Sequence, residues 1–180
     1  MGSLGSSSHW MVCEPFSGDS SMSTRLSRHF SLEEFISSSD SVAPGKVQIE
    51  NLTRLCETAL EPLRAVLGRA LFISSGYRSE SYNRRIGGAK GSQHCLGIAA
   101  DIQVGSSTDD DTLIRAAARA SKIDAIGGIG IYPGRGFIHV DIRPRSESGR
   151  PTWWLSGKKG TYGPLTSEIK EKLVKEGARL

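Results

Sequence analysis

Apolar side chains recur at three- and four-residue spacings through Ile49, Leu52, Cys56, Ala59, Leu60, Leu63 and Leu67, which predicts a long amphipathic helix, bent at Pro62 and ended at Gly68. Before it, Ser31-Leu32-Glu33-Glu34 has the form of a capping box and opens a short helix reaching Ile36. The period then changes. Leu71-Phe72-Ile73 is a short apolar run that reads as a buried strand, and residues 98–104 form a second. Residues 79–86 read as one or two helical turns stopped by Gly87-Gly88, and residues 108–121 as a helix with three aspartates in its first turn. Residues 128–132 and 137–143 are two strands joined by Pro133-Gly134-Arg135-Gly136, a hairpin signature. A loop holding Trp153 and Trp154 leads to a last helix over 167–176, with Ile169 and Leu173 inward and Gly177 as its stop. Helices mixed with a few strands and one hairpin predict an α+β fold, a small and mostly antiparallel sheet packed against helices.

Residues 1–24 are rich in Ser and Gly, lack periodicity, and are expected to be a disordered leader. Residues 25–180 are expected to form one domain, long enough for a proper core. The net charge of +4 is mild, and its cations are spread out with little aromatic interleaving, so nucleic-acid binding is disfavoured. No apolar run reaches the length of a membrane span, and no charged segment followed by an apolar one opens the chain as a secretory signal would. The three cysteines, Cys13, Cys56 and Cys95, fit neither a disulfide framework nor a CxxC metal motif; Cys56 lies on a helix's apolar face.

Chemistry concentrates in three segments. Ser92-Gln93-His94-Cys95-Leu96-Gly97-Ile98-Ala99-Ala100-Asp101 sets a histidine and an aspartate seven residues apart, and Phe137-Ile138-His139-Val140-Asp141 adds a second histidine within a strand. Two histidines and one carboxylate can hold Zn²⁺ and leave a fourth position open. His94, Asp101 and His139 are therefore the candidate metal ligands. The other two histidines are set aside, His9 in the leader and His29 as a surface or cap contact. With a period of two, Phe137, His139, Asp141 and Arg143 share one strand face while Ile138, Val140 and Ile142 share the core face. Ser74-Ser75-Gly76-Tyr77-Arg78-Ser79 delivers an arginine just past the first strand. Tyr77 and Asn83 are candidates to line the cleft, with loop packing and capping as their structural alternative. Trp153 and Trp154 could wall it, with core closure the role of at least one.

Taken together, Ser-x-His-x-x-Gly-x-Ala-x-Asp, the preceding Ser-Gly-Tyr-Arg-Ser, and the later Gly-Gly-Ile-Gly-x-Tyr and Phe-Ile-His-Val-Asp resemble the zinc D-Ala-D-Ala carboxypeptidase family. Vancomycin-resistance D,D-dipeptidases, murein endopeptidases and phage endolysins belong to it, and the hedgehog zinc fold is a distant relative. The match runs in order from about Phe30 to Trp154. The resemblance implies a hedgehog/D,D-peptidase-like fold and one Zn²⁺ per chain on His94, Asp101 and His139. It implies that Arg78 stabilises the developing oxyanion, that Ser92 helps bind a substrate carboxylate or amide, and that water acidified by zinc is the nucleophile. Tyr77 joins Ser92 as a substrate-binding candidate. Many members carry an acidic residue three positions before the last histidine, where this chain has Gly136. Asp141 is the nearest carboxylate on the same strand face and is assigned the general base, with orientation of a zinc ligand as its alternative role.

The expected activity is hydrolysis of an amide bond in peptidoglycan stem peptides or cross-links, by a monomer acting on the bacterial cell wall without membrane insertion. The lack of a visible signal fits a phage-encoded lysis enzyme or a chain trimmed of its leader. The rival expectation is an inactive zinc-binding recognition module of the same fold.

Overall fold

The computed structural model describes residues 23–104, 109–157 and 161–180. Most of the leader, with His9 and Cys13, lies outside them. Ser23 and Thr24, placed in the leader by composition, are tied down, because both donate hydrogen bonds to the Glu33 carboxylate at 2.8 and 3.1 Å.

The capping box forms: the Glu34 carboxylate accepts from the Ser31 backbone N–H at 2.8 Å, and the short helix Leu32–Phe35 is 3₁₀ rather than α. The long amphipathic stretch is α1 (Lys46–Leu55) and α2 (Glu61–Leu67), separated by a π-helical turn over Cys56–Leu60. Pro62 supplies the reason. Its nitrogen cannot donate to the carbonyl of Thr58 and its ring would collide there, so the backbone widens in the turn before it. Gly68 closes α2 with a φ of +61°.

Next come β1 (Leu71–Ser75), α3 (Glu80–Arg85), β2 (Ala99–Val104), α4 (Asp110–Ala120), β3 (Gly128–Tyr132) and β4 (Phe137–Asp141). Asp109 caps α4, its carboxylate accepting from the Thr112 N–H at 2.8 Å; Thr108, the expected start, lies outside the described residues. The expected loop after β4 instead contains β5 (Thr152–Ser156), followed by β6 (Tyr162–Gly163) and α5 (Ser167–Lys175). β5 escapes the alternation rule because Trp153, Trp154 and Leu155 are all half-buried, one face covered by the C-terminus and the other turned to a cleft.

The six strands are ordered β1-β2-β4-β3-β5-β6, antiparallel except for the parallel β3–β5 pair. The fold is α+β with a mostly antiparallel sheet. One sheet face carries Ile102, Ile129, Ile131, Ile138 and Val140, all buried against the helices. Each such side chain contributes roughly 1.5–3 kcal/mol on leaving water. The alanines of α4 (Ala116, Ala117, Ala118 and Ala120, all buried) let that helix approach the sheet closely. No helix among the described residues is long and apolar enough to cross a membrane.

A close contact links this core to the opposite face. Where the chain leaves β1, the Tyr77 N–H donates to the Phe35 carbonyl at 2.8 Å, and a Cβ on Gly76 would stand 2.6 Å from both Cα and Cβ of Phe35. Gly76→Ala is expected to cost about 1–3 kcal/mol as an overpacking change and to lower Tm by several degrees in a thermal melt. An unchanged Tm would mean that the Phe35 segment moves aside freely.

Candidate metal centre

The pairing register builds the centre. Asp101 on β2 stands opposite His139 on β4, His139 opposite Gly130 on β3, and Gly130 opposite Trp154 on β5. A bulge in β1 brings Ser75 opposite Asp101. The neighbouring row holds Ala99, Asp141, Gly128 and Thr152. Residues opposite one another share a sheet face, so these side chains gather on the face away from the helices. His94 comes from a 3₁₀ turn (Gln93–Leu96) just before β2. That turn ends at Gly97, with φ +72° and an imaginary Cβ 2.7 Å from the Gln48 carbonyl oxygen, so only glycine fits.

Three ligand-type atoms converge there. His139 Nδ1 lies 3.0 Å from Asp101 Oδ1 and 3.2 Å from His94 Nε2, and His94 Nε2 lies 3.3 Å from Asp101 Oδ1. Donors placed 2.0–2.1 Å from a tetrahedral zinc ion stand roughly 3.3 Å apart. The donor set therefore fits zinc in both kind and spacing. Each ligand is also aimed from behind. His94 Nδ1 is 2.6 Å from the Gly76 carbonyl, which makes Nδ1 the protonated nitrogen and leaves the Nε2 lone pair facing the cluster. His139 uses the opposite tautomer, its Nε2–H donating to Asp141 Oδ2 at 3.0 Å. Arg78 Nη2 donates to Asp101 Oδ2 at 2.7 Å, turning Oδ1 toward the imidazoles, while Arg78 Nε donates to Ser75 Oγ at 2.9 Å.

These partners also set the charges. Burial works against ionising Asp101, yet His94 and His139 outweigh it and hold the carboxyl far below the usual range. Burial pushes the pKa of His94 down, even with Asp101 beside it. Burial likewise opposes charge on His139, but its hydrogen bonds to Asp101 and Asp141 prevail and raise its pKa. Asp141 is lowered to about 2: its burial is outweighed by the hydrogen bonds from His139 and Arg143.

The cluster opens on a cleft of about 450 Å³. Arg78 and Ser92 line it, as does the loop 86–91. Two expectations need correction. Tyr77 does not line the cleft: it is buried in the hydrophobic core, drawn in by the bond between its N–H and Phe35. Asp141, expected to act on water, is 0% exposed and also does not line the cleft. Its Oδ1 accepts from the backbone N–H and Nε of Arg143 at 3.0 and 2.7 Å, and its Oδ2 from Arg143 Nη2 and His139 Nε2 at 2.5 and 3.0 Å. With both oxygens engaged, its position is that of an acceptor orienting His139. Asn83 is buried and holds the cleft-lining loop, Nδ2 donating to the Ala89 carbonyl at 3.0 Å. Cys95 is half-buried and takes no part in the cluster.

The tryptophans divide. Trp153 packs on the core and donates through Nε1 to the Arg179 carbonyl, whereas Trp154 forms a wall of the cleft, its ring centroid 5.0 Å from that of His139. Tyr132, Arg135 and Tyr162 also line the cleft; the first two were quoted only within the Gly-Gly-Ile-Gly-x-Tyr motif and the hairpin turn, with no site role, and Tyr162 not at all. Hairpin pairing could have found Tyr132, which faces Phe137; nothing local marks Tyr162.

A family model for peptidase M15 matches residues 28–141, more than half of the chain and every residue of the cluster. The chain belongs to the peptidase M15 family. No curated protein matches the chain significantly. M15 peptidases are zinc-dependent, so the match and the donor set agree on a metallopeptidase. Within this M15 domain the glycines of Gly-Gly-Ile-Gly have a physical role. A Cβ on Gly128 would overlap the Asp141 carboxylate, and one on Gly130 the Trp154 ring.

Asp141→Asn is expected to weaken zinc binding about 10- to 100-fold, the usual scale for losing the partner of a ligating histidine. Gly128→Ala should act in the same direction without touching a ligand. Competition against a chromophoric chelator measures both, and wild-type affinity in Asp141→Asn would show that His139 orients itself unaided.

Proposed function

We propose that the chain is a zinc-dependent peptidase that hydrolyses an amide bond in peptidoglycan stem peptides or cross-links at the bacterial cell wall. The observation that carries this reading is the triangle of His94 Nε2, Asp101 Oδ1 and His139 Nδ1, each oriented by its own hydrogen bond and all facing one cleft. These residues would hold one zinc ion per chain. Zinc so held supplies a Lewis acid that polarises a carbonyl and makes water acidic enough to attack near neutral pH. All three ligands come from one chain, so a monomer suffices.

The chain's own groups then have separable tasks. Arg78 fixes Asp101 through Nη2 and, as a permanent cation at the cleft wall, can stabilise negative charge developing on a substrate oxygen. Ser92 at the cleft rim can hydrogen-bond a substrate carboxylate or amide. Asp141 and Arg143 hold His139 in its tautomer. Trp154 shields one side from water.

A second reading, a recognition module without turnover, is favoured by one observation. Gly136 stands where many members carry an acid, and Asp101 is the only carboxylate among the described residues lining the cleft. Digestion of purified peptidoglycan by the zinc-loaded protein, with fragments identified by mass spectrometry, separates the readings. Newly freed stem-peptide termini, lost on chelation and in His94→Ala, are expected. Stoichiometric zinc and wall binding without fragments would establish the recognition module, and a protein that takes up no zinc would overturn both. Arg78→Lys is expected to keep zinc while lowering kcat on the order of a hundredfold.

A further inference from the structure

The cleft is electrically one-sided. Among the described residues, four cations line it, Arg78, Lys90, Arg135 and Arg143, against the single carboxylate of Asp101. Two of the four are paired with carboxylates of the protein, Arg78 with Asp101 at 2.7 Å and Arg143 with Asp141 at 2.5 Å. Among the described residues, Lys90 and Arg135 have no carboxylate partner.

Arg135 is further organised. It sits on the hairpin turn between β3 and β4, whose shape depends on Gly134 and Gly136 at φ +70° and +71°. Tyr132 and Phe137 stack across that hairpin with centroids 4.3 Å apart, and the Arg135 guanidinium carbon lies 5.5 and 5.0 Å from the two ring centroids. The rings attract the guanidinium by cation–π interaction. Among the described residues the Arg135 side chain forms no hydrogen bond or ion pair, so its N–H groups are available, and their fork matches a carboxylate with two parallel hydrogen bonds.

We propose that Arg135 determines specificity by binding a substrate carboxylate away from the bond that is cut. The inference rests on the peptidase reading and names its substrate class as acidic peptides. Arg135 precedes His139 by four residues, and a strand rises about 3.3 Å per residue, so their Cα atoms stand up to about 13 Å apart. That span leaves room for the bound carboxylate to lie one or more residues from the scissile amide. It is either an acidic side chain or a free chain terminus, which offer the same chemistry.

The test uses the zinc-loaded full chain and a short peptide containing D-alanyl-D-alanine and one acidic residue. Each carboxylate, side-chain or terminal, is replaced in turn by its carboxamide, and kcat/KM is compared within each pair. One pair is expected to favour the acid by on the order of tenfold to a hundredfold, the worth of a hydrogen bond to a charged group. The pair that does so identifies the source. Arg135→Gln should bring that ratio close to one, and Arg135→Lys, which keeps charge without the fork, should retain only part of it. No preference for acid in any pair, or a preference that survives in Arg135→Gln, would overturn the proposal. If the wild type cleaves no peptide, the peptidase reading fails separately, and calorimetric titration of the same pairs against wild type and Arg135→Gln still decides the carboxylate site.

Discussion

The register between β2 and β4 is the constraint on which the rest of the structure depends. Pairing Asp101 with His139 places a carboxylate and an imidazole side by side on one face of the sheet, while Ile102 and Ile138, one residue along, pair on the other. A slip of β4 by one residue would send His139 into the helix-covered core and turn Ile138 outward, away from the partners that Asp101 and Ile102 keep. The burial that stabilises the fold therefore also fixes the metal centre. Four fully buried branched residues, Ile102, Ile138, Val140 and Ile129, hold that register from behind.

A buried cluster of this kind is costly unless every polar atom has a partner. Here the partners form a closed set. Asp101 is shared between the imidazoles and Arg78, His139 lies between Asp101 and Asp141, and Asp141 is gripped by Arg143. His94 alone is oriented by backbone, through the Gly76 carbonyl. The glycines complete the arrangement by omission. Gly76, Gly97, Gly128 and Gly130 each stand where a methyl group would strike backbone, a carboxylate or a ring, so the segments carrying the ligands can approach one another closely. This is the preorganisation a metal site needs, since ligands held before binding lose less freedom on binding.

The region beyond the family match changes the character of the cleft. The match ends at Asp141, and β5 and β6 then return along the sheet to bring Trp154 and Tyr162 to its wall. Trp154 lies over Gly130, beside His139, with the Arg143 guanidinium 5.4 Å from its ring centroid. The candidate ligand set is thus framed by aromatic and cationic groups drawn largely from the hairpin and the C-terminal strands, and the proposed carboxylate site lies there rather than at the metal.

Much of this was legible in the chain. Helical periodicity located the paired helices, and period-two alternation in 137–143 separated the core face from the polar one, because side-chain direction in a strand follows from backbone geometry alone. Residue chemistry was enough to nominate His94, Asp101 and His139, since few side chains bind zinc and only four histidines are present. What the chain could not show was which atoms are already engaged. Asp141 shares a face with His139, but whether its oxygens meet water or Arg143 depends on where residues outside its own pleat come to rest. Tyr77 stands next to Arg78 in the Ser-Gly-Tyr-Arg-Ser segment, yet its backbone bond to Phe35, 42 positions earlier, turns it into the core. β5 hid because a strand with one face against the C-terminus and one against a cleft lacks the alternation by which strands are recognised. Local sequence determined the direction of each side chain, and only tertiary structure decided what each one meets, because those partners come from segments far apart in the chain.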